Sequence, residues 1–243
     1  MNKLTELVSS FQVELSTEQL EQFQLYYEML VEKNKVMNLT AITEKDEVML
    51  KHFADSLALA KVLHRLDKNT SIRLIDVGTG AGFPGIPLKI AFPELEVVLL
   101  DSLNKRVLFL QDVIKALQLK NITAVHFRAE DGARQKDLRE GFDICVSRAV
   151  ANLATLSEYC VPFVKQGGYF VSYKSGNIDV ELSDATKAID ILGGKVDFVD
   201  AFSLPSEEEI QRSLVCIKKV KTTPKTYPRK AGTASKTPLG VNK

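Results

Sequence analysis

The stretch Leu74-Ile75-Asp76-Val77-Gly78-Thr79-Gly80-Ala81-Gly82-Phe83-Pro84-Gly85 constrains this chain more than any other. An apolar β-run passes into alternating glycines, and a helical pattern follows. Glycines at 78, 80 and 82 can take positive φ and admit a ligand where a Cβ would clash. The following helix points unpaired N–H groups back at the turn. Pro84 suits its first turn, where a missing N–H costs nothing. A dinucleotide fold needs G-x-G-x-x-G/A. Here the sixth position is the bulky Phe83, which argues against that fingerprint and against a nicotinamide-dependent oxidoreductase. A second apolar strand ends at Asp101, 23 positions after Gly78. A carboxylate placed there can accept both hydroxyls of a ribose. The bland alternative is an ordinary strand-to-loop turn with a surface aspartate.

A chain of 243 residues, 45% hydrophobic and 26% charged, can bury one sizeable core, with room for a small appendage. No apolar run is long enough to span a bilayer, and Met1 to Glu6 lacks the regions of a signal peptide. A cytoplasmic protein without a membrane partner is expected. Three cysteines, at 145, 160 and 216, fit a reducing compartment better than a disulfide framework. Cys145 and Cys216 fall in apolar strand patterns and read as buried thiols. No cysteine–histidine spacing resembles a zinc site, so no metal is expected. The net charge of +1 hides an asymmetry: residues 218–243 hold eight Lys or Arg and no acid, leaving 24 basic against 31 acidic groups elsewhere. A basic tail on an acidic body suggests a local site for phosphate, or a merely solvated end.

Residues 1–66 read as a helical extension, 67–220 as the main domain and 221–243 as a basic tail packed on or near the cleft. Ser16 with Gln19 is a capping-box signal, followed by Leu20, Phe23, Tyr27 and Leu30 at helical spacing. Thr43 with Asp46 offers a second helix start. His52 and Asp55 lie three apart, which suits a local hydrogen bond better than a metal or catalytic pair. From Ile72 onward strand patterns (72–77, 96–101, 122–127, 142–147, 168–174, 195–202, 213–220) alternate with helical ones (84–91, 104–118, 152–164, 178–192). This alternation predicts an α/β fold, a mostly parallel sheet covered on both faces. Ligands then bind at the carboxyl ends of the central strands. Pro224, Pro228 and Pro238 keep the tail in loop or extended form.

The pattern D-x-G-x-G-x-G at 76–82 resembles motif I of the class I methyltransferases that use S-adenosylmethionine (SAM). Further pieces are Asn38-Leu39-Thr40-Ala41-Ile42, His52-Phe53-Ala54-Asp55-Ser56-Leu57, the extension Phe83-Pro84-Gly85-Ile86-Pro87-Leu88, Ser147-Arg148-Ala149 and Tyr227-Pro228-Arg229-Lys230-Ala231-Gly232. Together they resemble the RsmG (GidB) family of 16S rRNA guanine-N7 methyltransferases over nearly the whole chain. The resemblance implies a Rossmann-like seven-stranded sheet with the last strand antiparallel. It also implies SAM as cofactor and a 7-methylguanosine product in the 530 loop of 16S rRNA, at conventional position 527. Of the residues here, Gly78, Phe83, Ala129, Glu130 and Arg148 match positions that contact SAM in the family.

From the residues themselves, Gly78, Gly80 and Gly82 form the cofactor turn and Phe83 walls it. Asp101 holds the ribose with Ser102 beside it. Ala129 and Glu130, after the third strand, suit the adenine. The strand that carries Ser147-Arg148-Ala149 lacks both an Asn/Asp-Pro-Pro-aromatic motif and a cysteine nucleophile. Guanine N7 presents a free lone pair and loses no proton, so no catalytic acid or base is expected. Arg128, Arg148, Lys174 and Arg229 are the candidate RNA-binding cations, with Tyr173 and Tyr227 as stacking candidates. The expected partner is 16S rRNA or the small ribosomal subunit, bound by a monomer. Two other classes remain open: an RNA-binding ribosome-assembly factor without activity, which a SAM titration separates, and a small-molecule methyltransferase. Strong salt dependence of substrate binding separates the latter.

Overall fold

A computed structural model describes residues 1–65, 71–206 and 208–240. The boundary expected between residues 66 and 67 lies outside the described residues, as do the last three residues of the tail. Two helices, α1 (Asn2–Ser9) and α2 (Thr17–Met37), open the chain. α2 begins with the expected capping box: Ser16 Oγ accepts from Gln19 N–H at 3.2 Å, and Gln19 Oε1 accepts from Ser16 N–H at 2.8 Å. It stops at Asn38, which takes the left-handed conformation that asparagine tolerates. A helical run follows: α3 (Lys45–Val48), a π-helical turn (Met49–Ala54), α4 (Asp55–Leu57) and α5 (Ala60–Leu63). The start of this run differs from expectation. Glu44, not Thr43, caps it, its carboxylate accepting from Glu47 N–H at 2.9 Å.

β1 (Arg73–Val77), α6 (Gly85–Ala91), β2 (Glu96–Asp101), α7 (Asn104–Ala116) and β3 (Ile122–His126) come next. Then follow α8 (Ala129–Gly132), β4 (Phe142–Arg148), α9 (Leu153–Cys160) and a 3-10 turn (Val161–Phe163). β5 (Val164–Ser175), α10 (Asp179–Ile191), β6 (Gly194–Leu204), β7 (Ile210–Lys219) and the short α11 (Thr233–Lys236) complete the chain. α9 is shorter than the expected 152–164, because Pro162 cannot continue an α-helix. β5 starts earlier than expected, with Gly167 at positive φ inside it.

Among the described residues, seven strands form one sheet in the order β3-β2-β1-β4-β5-β7-β6. β7 runs antiparallel to both neighbours, and the pairs among β1 to β5 are parallel. Successive strand residues face opposite layers. Leu74, Ile144 and Leu214 join a core with Phe23, Phe53 and Phe109 from the N-terminal helices and α7. Ile75, Cys145 and Val215 join a second core with Leu156, Ala185 and Ile189 from α9 and α10. The N-terminal helices therefore bury their apolar stripes against the sheet, which short helices require. Strand order reverses between β1 and β4, so the topological switch point lies where the glycine turn leaves β1. All three cysteines are buried and unpaired.

Candidate active site

The turn after β1 is held from three sides. The N–H groups of Gly78 and Thr79 donate to the Leu100 carbonyl at 2.8 and 3.2 Å, tying the turn to β2. Asp76, fully buried, accepts from Thr79 Oγ1 at 2.7 Å and from Gly85 N–H at 2.8 Å through a single oxygen. Its other oxygen has no partner among the described residues. Burial pushes its pKa up to about 7, against the pull of those two bonds. Tyr26 of α2 donates to the Ala81 carbonyl at 2.6 Å. A Cβ on Gly82 would stand 2.7 Å from the Tyr26 hydroxyl and 2.6 Å from Ile86. Gly82 thus serves the packing of α2 on the turn. Gly80 has open space beside it, and a Cβ on Gly78 would meet Val150 at 2.7 Å.

Two cavities meet at Gly78. One, of about 260 Å³, is lined by Gly78, Ser102, Ala129 and Glu130, with Arg128, Tyr159 and the tail residues Gly232 and Ser235. The other, of about 590 Å³, is lined by Gly78, Gly80, Phe83 and Arg148, with Lys51, Arg106, Lys174 and Arg212 among its cations. Asp101 stands behind the turn, 2% exposed. Its carboxylate accepts from Gly80 N–H at 2.9 Å and from Leu103 N–H at 2.8 Å. Each carboxylate oxygen can take a second donor. Glu130 is buried and accepts from the Gly232 N–H at 2.9 Å.

Arg148, at the end of β4, is fixed from the N-terminal helices. Its guanidinium donates to Asp55 at 2.8 Å and lies 5.2 Å from the Phe83 ring centre. Asp55 also accepts from Arg212 Nε of β7 at 3.1 Å. His52 stacks on Phe83 at 4.5 Å with its Nδ1 3.4 Å from Arg148. Burial first, and the Arg148 charge second, lower the His52 pKa to about 3, so the ring is neutral near pH 7. Arginine only donates, so Nδ1 accepts and the proton sits on Nε2, which donates to Thr40 Oγ1 at 2.8 Å. His52 and Asp55 therefore do not bond to each other, as their spacing suggested; both turn to Arg148. No local pattern announces a partner 93 residues away.

A family profile now bears on this geometry. The GidB family, described as rRNA small subunit methyltransferase G, matches residues 19–215. The chain belongs to that family. It is 56% identical over 230 residues to the ribosomal RNA small subunit methyltransferase G of Lachnoclostridium phytofermentans, covering 95% of this chain and 93% of that protein. The Bacillus subtilis protein of the same name is 51% identical over 227 residues, with 93% of each covered. Among solved structures, the chain resembles the antibiotic-resistance methyltransferase Kmr, with TM-score 0.52, 16% identity, and coverage of 68% and 93%. It also resembles M. jannaschii TYW2 in complex with AdoMet, with TM-score 0.50, 14% identity, and coverage of 63% and 72%. These likenesses carry the fold, that of class I methyltransferases.

In this GidB-family chain the expected RNA cations fall in different settings. Arg128 is exposed at the start of α8. Lys174 is tied to Glu181 at 2.6 Å and to the Ala151 carbonyl at 3.0 Å, on the wall of the larger cavity. Arg229 turns its guanidinium onto buried Glu158, at 2.6 to 3.1 Å. Tyr173 is largely buried, donates to the Ser56 carbonyl at 2.7 Å and stands on the wall of the larger cavity. The residues that sequence reasoning missed are Lys51, Arg106 and Arg212, which join the cavity only through the fold.

Proposed function

We propose that this chain transfers the methyl group of SAM to N7 of a guanosine in 16S rRNA, in the 530 loop at conventional position 527. Family membership and fold support SAM-dependent rRNA methylation. The carrying observation is the pair of cavities that share Gly78. The smaller has the size and polar lining for an adenosine, with Ser102, Ala129 and Glu130 on its wall. The larger holds five cationic side chains against Asp55 and Glu181, which suits an anionic RNA segment. The glycine backbone fits the cofactor, since the turn leaves open space at Gly80. Gly78, Gly80, Phe83, Ala129, Glu130 and Arg148 would hold it, with Asp101 behind the turn. Gly82 supports that turn through its packing.

SAM supplies an electrophilic methyl group on a sulfonium. The protein's work is to orient the acceptor and to exclude water. Guanine N7 needs no deprotonation, and the site is consistent with that. His52 is held with low basicity and its acceptor nitrogen faces Arg148. Arg148, fixed by Asp55, offers remaining donors to the cavity. RNA-facing roles fall to Arg128, Arg148 and Lys174, while Arg229 holds the tail. Mapping 7-methylguanosine in 16S rRNA from cells with and without the protein tests the reading. The mark is expected only with it, and an unchanged mark refutes it. Arg148→Ala is expected to lower transfer by about 10²-fold or more in a folded protein; full activity would remove Arg148 from the mechanism.

A further inference from the structure

The C-terminal tail carries the basic excess of the chain, yet one of its cations, Arg229, is paired with a buried acid. Arg229 donates to Glu158 through its backbone N–H at 2.7 Å and through Nε and a terminal nitrogen at 2.6 to 3.1 Å. Glu158 lies on α9 and is 0% exposed. The tail backbone is gripped as well. Arg139 donates to the carbonyls of Thr223 and Tyr227 at 3.0 and 2.9 Å, and Arg134 donates to that of Pro228. Thr155 donates to the Ala234 carbonyl at 3.2 Å, and Ala234 is buried. These bonds bring residues 232–235 to the mouth of the smaller cavity. There Gly232 N–H meets Glu130, and Gly232, Ser235 and Tyr159 line the cavity.

We infer that tail residues 229–235 form the outer wall of the adenosine site, so that docking of the tail and binding of the nucleoside part of SAM reinforce each other. The inference rests on the SAM reading above and adds a binding role for the tail. Glu130 is the joint: one oxygen receives the Gly232 N–H, and the group keeps acceptor capacity for an adenine amine. An adenosine in the cavity touches both the sheet side and the tail side. Coupling of this kind is reciprocal by linkage. The tail therefore works as a cofactor wall anchored by an ion pair, in place of the free phosphate ligand its charge suggests.

The test measures binding of S-adenosylhomocysteine to the full chain by calorimetry, with tryptic cleavage at the exposed Lys230 as a second readout. The double variant Arg229→Ala, Glu158→Gln removes the ion pair without leaving a buried charge. It is expected to bind about tenfold more weakly and to be cut faster. S-adenosylhomocysteine is expected to slow cleavage of the wild type. Ser235→Phe removes one bond within the tail, from Ser235 Oγ to the Gly232 carbonyl at 3.1 Å, but leaves the bonds to Glu158, Arg139, Arg134 and Thr155 in place and fills the cavity mouth; it is expected to lose affinity with a melting temperature close to that of the wild type. Wild-type affinity in either variant, or cleavage of the wild type indifferent to the ligand, overturns the inference and leaves the SAM reading standing. No binding to the wild type overturns both.

Discussion

Asp76 shows how a single residue sets a pH dependence. It is fully buried, with one oxygen accepting two bonds and the other accepting none from the described residues. Burial raises its pKa from the usual 3.8 to about 7. The folded state therefore holds a proton that the unfolded state releases between those values. The stability Asp76 contributes is fully present below pH 3.8 and is lost as pH rises through about 7. Asp76→Asn keeps an acceptor for Thr79 and Gly85 and cannot ionise. Its melting temperature is expected to fall less than that of the wild type between pH 5 and pH 8, and identical profiles would refute the assignment. At this scale the sequence was partly legible. The glycine spacing pointed to a turn at Gly78, Gly80 and Gly82, but not to the tyrosine hydroxyl that a Cβ on Gly82 would meet, from a helix residue far earlier in the chain, Tyr26. Spacing reports that a Cβ is absent; it does not report what stands in the vacated space.

Among the elements, α4, β4 and β7 are joined at Asp55, which bonds Arg148 at 2.8 Å and Arg212 at 3.1 Å. Asp55→Ala leaves two guanidiniums without their shared acceptor. Both are partly exposed, at 13% and 21%, so water offsets part of the loss. The expected cost is about 2 kcal/mol, below that of a fully buried pair, measured by urea unfolding. Methyl transfer is expected to fall with it, and a variant as active and stable as the wild type would remove Asp55 as a positioning residue. The elements themselves were legible to within a few residues, because strands buried on both faces read as near-continuous apolar runs. α8 and α11 were not. Four residues each, they are too short to show a helical period, and other elements hold them in place. Glu44 displaced Thr43 as a cap because its longer side chain reaches the Glu47 N–H.

For the molecule as a whole, charge is sorted by place. Outside residues 218–243 the chain has more acids than bases, yet Lys51, Arg106, Arg148, Lys174 and Arg212 converge on one cavity. RNA binding is expected to weaken with salt, each phosphate contact contributing about −0.7 to the slope for a single strand. Arg106→Ala is expected to reduce that slope by about 0.7, followed by filter binding across a salt series; an unchanged slope removes Arg106 from the RNA contacts. The sheet order adds a constraint in time. β7 is made last of the strands, yet it lies between β5 and β6. During synthesis β6 emerges with no neighbour to pair with, and β5 keeps an open edge of the kind that invites misassociation. Arg212 and the tail arrive only with and after β7. The larger cavity therefore lacks one of its five cations until β7 has been made and has paired between two strands that precede it.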